Sequence, residues 1–242
     1  MRTASKLLLT ALASFITLST KAAQYQLDNN NIGNVVNASE GTEPLDNWFG
    51  NVFTTVPLSE VINRVDFGVF TTGPSLASVS LYKVTDPGGN PALGATRLYT
   101  QAFTPLTGDG TNAFLQSINL TSPVTFNPGD KFLVGILIRN VIANPPNDKY
   151  PFLIDTGSDS TGSYWDRSTP STFNLDNLSA AVTLTQPLTP GGFVPGPGHV
   201  FIRAFGVAVP EPSMAGICAL GLATLVFVRK PRKVGISGFT LN

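Results

Sequence analysis

The stretch Asn127-Pro128-Gly129-Asp130-Lys131-Phe132-Leu133-Val134-Gly135-Ile136-Leu137-Ile138 decides the fold. Its first four residues spell a type II turn: Pro stands where the backbone wants φ of about −65°, and Gly stands where φ must be positive. The run from Phe132 to Ile138 is apolar without alternation, which suits a central strand covered on both faces. Outward from it, other runs carry the two-residue period of half-buried strands. Val61, Val65, Phe67 and Val69 share one face of the segment 61–70, with Arg64 and Asp66 on the other. Ala77, Val79 and Leu81 alternate with Ser78, Ser80 and Tyr82, and Val200, Ile202 and Ala204 alternate with Phe201, Arg203 and Phe205. The segment Asp86-Pro87-Gly88-Gly89-Asn90-Pro91 is a second chain reversal, while Asn144–Asn147 and Pro187–Gly198 read as longer loops. No stretch of the body sustains a 3.6-residue apolar period. The expectation is an all-β domain over residues 23–208, an antiparallel two-sheet sandwich of jelly-roll type.

Both ends of the 242-residue chain differ from this body. Arg2 and Lys6 precede an apolar run from Leu7 to Leu18, and Thr20-Lys21-Ala22 supplies small residues for a cleavage site. That is the pattern of a secretory signal peptide over residues 1–22, with an uncleaved anchor helix as the alternative. At the other end, Val209-Pro210-Glu211-Pro212-Ser213 is followed by an uncharged run from Met214 to Val228 and then by Arg229, Lys230, Arg232 and Lys233. As a helix the uncharged run would be about 22 Å long, shorter than the roughly 30 Å of a bilayer core, with flanking basic side chains snorkelling to make up part of the difference. A buried core helix is the other reading, but the run has no polar stripe. The basic cluster predicts that residues 229–242 stay in the cytoplasm and that everything before Met214 lies outside. Pro210 and Pro212 keep Glu211 in an extended segment that a processing enzyme can grip.

The ordered triplet over residues 209–233 resembles the PEP-CTERM sorting signal of bacterial surface proteins. The resemblance implies recognition of Val209, Pro210, Glu211 and Pro212 by a membrane-embedded exosortase, cleavage near that motif, and delivery to the cell envelope or an extracellular polysaccharide layer. The combination Leu81-Tyr82-Lys83, Ile118-Asn119-Leu120, Pro128-Gly129-Asp130 and Val134-Gly135 is loosely similar to secreted jelly-roll modules of bacterial surface proteins, whose roles are diverse.

The body holds 14 acidic residues against 8 basic ones, a net charge of −6. Nucleic acid would require a clustered basic face, so it is not an expected partner. The single cysteine, Cys218, lies in the candidate span, which leaves the body without disulfides or a thiolate nucleophile. The one histidine, His199, is not accompanied by a Gly-x-Ser-x-Gly elbow, and no phosphate-binding glycine loop is present. The body is therefore read as non-enzymatic, with a glycan hydrolase built on two of its carboxylates as a further alternative. The richest polar segment runs from Asp155 to Asp166. Asp155, Asp159 and Asp166 are candidate oxygen ligands for calcium, with a solvated Asp/Ser/Gly turn as the competing account. Tyr164 and Trp165 are candidate stacking residues for a glycan, as are Trp48 and Phe49; core packing is the usual alternative.

Overall fold

The computed structural model describes residues 22–36, 45–56, 59–69, 76–106, 114–141, 152–157, 159–169, 171–186 and 196–209. The expected signal segment up to residue 21, the candidate motif residues Pro210–Ser213, the candidate span and the basic cluster lie outside the described residues. The chain divides into two compact units, Met1–Val209 and Pro210–Asn242, and only the first is described below.

Among the described residues there are twelve strands: β1 Ala22–Tyr25, β2 Ile32–Val36, β3 Leu45–Thr54, β4 Ser59–Val69, β5 Ala77–Val84, β6 Ala95–Phe103, β7 Phe114–Phe126, β8 Lys131–Val141, β9 Phe152–Asp155, β10 Ser163–Ser168, β11 Val182–Thr183 and β12 Ile202–Val209. They form a four-stranded sheet in the order β1-β12-β4-β7, a six-stranded sheet in the order β11-β10-β3-β8-β5-β6, and a two-stranded β2-β9 ladder. Every pairing is antiparallel. The chain passes between the two larger sheets at β3–β4, β4–β5, β6–β7, β7–β8 and β11–β12, while β5 and β6 form a hairpin within one sheet.

The core lies between the two larger sheets. Ile62, Val65, Phe67, Ile118, Phe126, Ile202 and Ala204 come from the four-stranded sheet; Phe49, Phe53, Val79, Leu81, Phe132, Val134, Ile136 and Trp165 come from the six-stranded one. A second apolar cluster covers the outer face of the six-stranded sheet, where Trp48, Tyr82, Leu133 and Leu137 meet Phe173, Leu178 and Ala181 from the segment after β10. These two layers explain the sequence of β8. Its odd-even alternation is absent because Phe132, Val134, Ile136 and Ile138 enter one cluster while Leu133 and Leu137 enter the other. The strand sits between β3 and β5, as a doubly covered strand must.

The turn before β8 has the expected form: Gly129 has φ of 76° and the Asp130 amide donates to the Asn127 carbonyl at 3.1 Å. Lys83 Nζ bonds both carboxylate oxygens of Asp130, at 2.9 and 3.0 Å, and so ties that turn to β5. The Asp86–Pro91 reversal joins β5 to β6, with the Gly89 amide on the Asp86 carbonyl and Gly89 at φ 86°.

One expectation needs correction. The face pattern of β4 changes phase: Ile62, not Val61, is fully buried beside Val65 and Phe67, because the ladder to β7 shifts register between Ile62 and Arg64. A bulge adds one residue and reverses the alternation upstream of it. Asp46 and Asn47, polar residues directly before Trp48, belong to β3 and are fully buried. Val209, placed in the sorting motif by sequence, is the last residue of β12 and pairs with Ser59.

Candidate functional site

The three carboxylates proposed for calcium do not converge. Asp155 ends β9 and is buried. Its Oδ1 accepts the amides of His199 at 2.8 Å and Gly157 at 3.0 Å, and its Oδ2 accepts the Asn29 amide at 2.9 Å. Three backbone donors engage both oxygens of this carboxylate, which splices the β2-β9 ladder to the segment entering β12. Gly198 is required there: at φ 128°, a Cβ would fall 2.6 Å from Ile154 Cγ2 and 2.7 Å from Asp155 Oδ1. Asp159 is exposed and folds onto its own turn, accepting the Thr161 amide at 2.8 Å. Hydrogen bonding from the Thr161 side chain and backbone lowers its carboxyl pKa. Asp166 lies in β10 opposite Trp48 and is buried, its Oδ1 accepting the Arg167 amide at 2.7 Å. Desolvation raises its pKa to about 6. Among the described residues, no group of three or more His, Cys, Asp and Glu is placed to hold a metal ion.

The stacking surface expected of Tyr164 and Trp165 is likewise absent. Trp165 is fully buried in the inter-sheet core, 6.1 Å from the Phe49 ring, and its indole N–H donates to the Gln186 carbonyl at 3.1 Å. Tyr164 packs in the outer cluster with its hydroxyl on the Gly89 carbonyl at 3.4 Å. Trp48 is also fully buried and stacks on Phe173. β10 alternates its residues between two apolar layers, so neither aromatic is left for a ligand.

His199 is buried at the centre of a polar knot. Asn51 Nδ2 donates to the carbonyls of Val200 and Ile202, at 2.8 and 3.1 Å, which fixes the orientation of its amide. Its Oδ1 then accepts the Ser163 hydroxyl at 2.7 Å. Ser163 has one proton to give, so the 3.1 Å contact with His199 Nδ1 has the imidazole as donor and the hydroxyl as acceptor. A nucleophile–base pair needs the reverse sense. The Ser163 side chain is fully buried, and Asp155 engages the His199 backbone. This is a latch between β3, β10 and β12.

The residues that form an open site came from elsewhere. On the outer face of the four-stranded sheet, Arg203 of β12 is grasped by Asp28, Nε to Oδ2 at 2.9 Å and Nη2 to Oδ1 at 2.5 Å, and donates to Asn30 Oδ1 at 2.7 Å. Its cross-strand neighbour on β4 is Asp66. The bond to Asp28 raises the guanidinium pKa further. One strand pair along, the Arg64 guanidinium lies 3.7 Å from the Phe205 ring centroid and its Nε 3.2 Å from Asp66 Oδ1. Arg203 forms one wall of an open groove of about 240 Å³, lined also by Asn30, Ile32, Phe114, Leu115, Leu153 and Phe201. Ile32 and Leu115 are 47% and 41% exposed, so the rim is apolar. The sequence offered one signal for this place, a lone arginine in an otherwise apolar final strand. Nothing local indicated that Asp28, 175 residues away, would receive it. The groove presents apolar walls and a cation already neutralised by its partner.

No family model matches the chain, and no curated protein matches it. Among solved structures it is similar to the clostridial cysteine protease Cwp84 after propeptide cleavage, at 16% identity and a TM-score of 0.48, over 79% of this chain and 41% of that one. A structure of the cysteine protease and lectin-like domains of Cwp84, a surface-layer-associated protein of Clostridium difficile, gives 15% identity and a TM-score of 0.45 over 79% of this chain and 37% of that one. The infectious bursal disease virus particle gives 12% identity and a TM-score of 0.29, over 87% of this chain and 47% of that one. The chain thus spans less than half the length of each of these structures.

Proposed function

We propose that the chain is an exported bacterial surface protein, processed at its C-terminal motif by an exosortase-type membrane enzyme, whose β-sandwich serves as a non-enzymatic structural or interaction module in an extracellular, polysaccharide-rich layer. One observation carries the reading. β12 ends at Val209, and Pro210-Glu211-Pro212 follows without a linker, ahead of fifteen uncharged residues and four basic ones. Proline lacks the amide that a ladder needs and fits poorly in a helix interior. By sequence, Pro210 disfavours continuation of the ladder, and the prolines on both sides of Glu211 disfavour a helix there. The order of the principal strands also supports the reading. With β2, β9, β10 and β11 set aside, the sheets run β1-β12-β4-β7 and β3-β8-β5-β6, the arrangement of an eight-stranded jelly roll. Such a domain stands without disulfides at this length, which agrees with a body free of cysteine.

The test is the intact mass of the exported protein. Loss of everything beyond the Pro210 region is the expected result, and Glu211→Ala should leave the tail in place. A mature protein that retains Arg229–Lys233 would instead be held by a plain membrane anchor.

A further inference from the structure

The bond expected to be cut when the leader is removed, Ala22–Ala23, lies inside a β-ladder. β1 is the edge strand of the four-stranded sheet, and its register on β12 runs Ala22 to Val207, Ala23 to Gly206, Gln24 to Phe205 and Tyr25 to Ala204. Ala23 is partly buried and packs against the core. Tyr25 holds the strand down: its ring meets Phe132 edge-on at 5.0 Å and lies 5.9 Å from Phe53, and its hydroxyl donates to the fully buried Glu60. Desolvation pushes the Tyr25 phenol pKa up, so this donor keeps its proton.

A peptidase that removes a leader binds its substrate as an extended strand, through backbone hydrogen bonds and pockets for small side chains. On the folded domain one backbone edge of this segment is taken by β12, and the side chains of Ala23 and Tyr25 face the core. We propose that docking of β1 on β12 closes the leader-cleavage site, so that leader removal must precede completion of the four-stranded sheet. The inference rests on residues 1–22 being a leader. β12 is the last strand among the described residues, so the partner that shields Ala22–Ala23 is made after every other described strand. The order of synthesis thus holds the site open during export and the fold closes it afterwards. A chain that folds before it is cut keeps its leader.

The test uses the full-length precursor in detergent micelles with a purified bacterial signal peptidase, read by intact mass and N-terminal sequencing. A synthetic peptide of residues 1–30 reports recognition of the leader without the fold. The folded precursor should be cut at least about tenfold more slowly than the peptide, because cleavage then waits on local opening of β1. Tyr25→Ala, which releases β1, should move the precursor rate toward that of the peptide. Hydrogen exchange on the unaltered precursor should show protection at alternate amides of β1, those that face β12. Equal rates for peptide and folded precursor, or the lack of any protected amide in β1, overturn the shielding while leaving the leader reading intact. A peptide left uncut at Ala22–Ala23 overturns the leader reading and the shielding with it.

Discussion

Burial raises the Asp166 carboxyl pKa to about 6, and the one backbone donor among the described residues, the Arg167 amide, offsets only part of the desolvation. In the unfolded chain the same group titrates near 3.9. Between these values the folded state binds more protons, so stability falls as pH rises through the window from about 4 to 6 and stays lower above it. The loss is at most about 3 kcal/mol, from a shift of about two units at 1.36 kcal/mol each. Asp166→Asn keeps an oxygen for the Arg167 amide and removes the charge. Denaturant unfolding at pH 7 should show the variant more stable than the parent, with the difference gone at pH 4.

Arg203 gives the opposite kind of prediction. Asp28 is fully buried, with Arg203 as its bidentate partner. Arg203→Met leaves that carboxylate buried without its cation and should cost about 3–5 kcal/mol. Combining it with Asp28→Leu should recover much of the loss, and a double-mutant cycle measures how much. If the two single losses simply add, the pair is not the source of the effect.

The strands differ in how plainly their residues announce them. β8 was legible because both its faces are apolar, so no error of phase could hide it. β3 was not: Asp46, Asn47, Gly50 and Asn51 give it the look of a loop. The side chains of Asp46 and Asn51 find partners far along the chain, Arg139 for Asp46 at 2.6 Å and the Val200 carbonyl for Asn51 at 2.8 Å, while Asn47 donates locally to the Leu45 carbonyl at 3.3 Å. For Tyr164 and Trp165 the sequence leaves glycan stacking and core packing both open, for a related reason. They follow an Asp/Ser-rich turn, and their burial depends on pairing with residues 49 and 50 of β3, a register that no local pattern encodes. The glycines of these strands make a prediction at this scale. Gly50 and Gly135 are paired across β3 and β8, and a Cβ on Gly135 would lie 2.5 Å from Trp48 Nε1. Gly135→Ala must therefore displace the indole from the outer cluster, at about 1–3 kcal/mol. Trp48 fluorescence should shift to the red, and an unchanged spectrum with unchanged stability would refute the packing described.

For the molecule as a whole, the four-stranded sheet depends on its last strand. β12 lies between β1 and β4, and Ile202 and Ala204 are fully buried in the common core. Residues 23–209 expressed alone should unfold in one cooperative transition followed by circular dichroism. A chain stopped at residue 201 should give no such transition, because it lacks the strand that joins β1 to the rest. Persistence of a cooperative transition in the shorter chain would mean that the core closes without β12.

The same strand determines how the domain meets traction. Val207 faces Ala22 on one side and Val61 on the other, so β12 is gripped along both edges. A pull at Val209 along the strand loads both ladders in shear, and their hydrogen bonds resist together. A pull across an edge strand would peel them one at a time. The Asp28–Arg203 clasp stands as a rivet partway along the loaded strand. Tension entering through the C-terminal strand is therefore met by the stiffest geometry that a β-sheet offers, and rupture requires both ladders to fail at once.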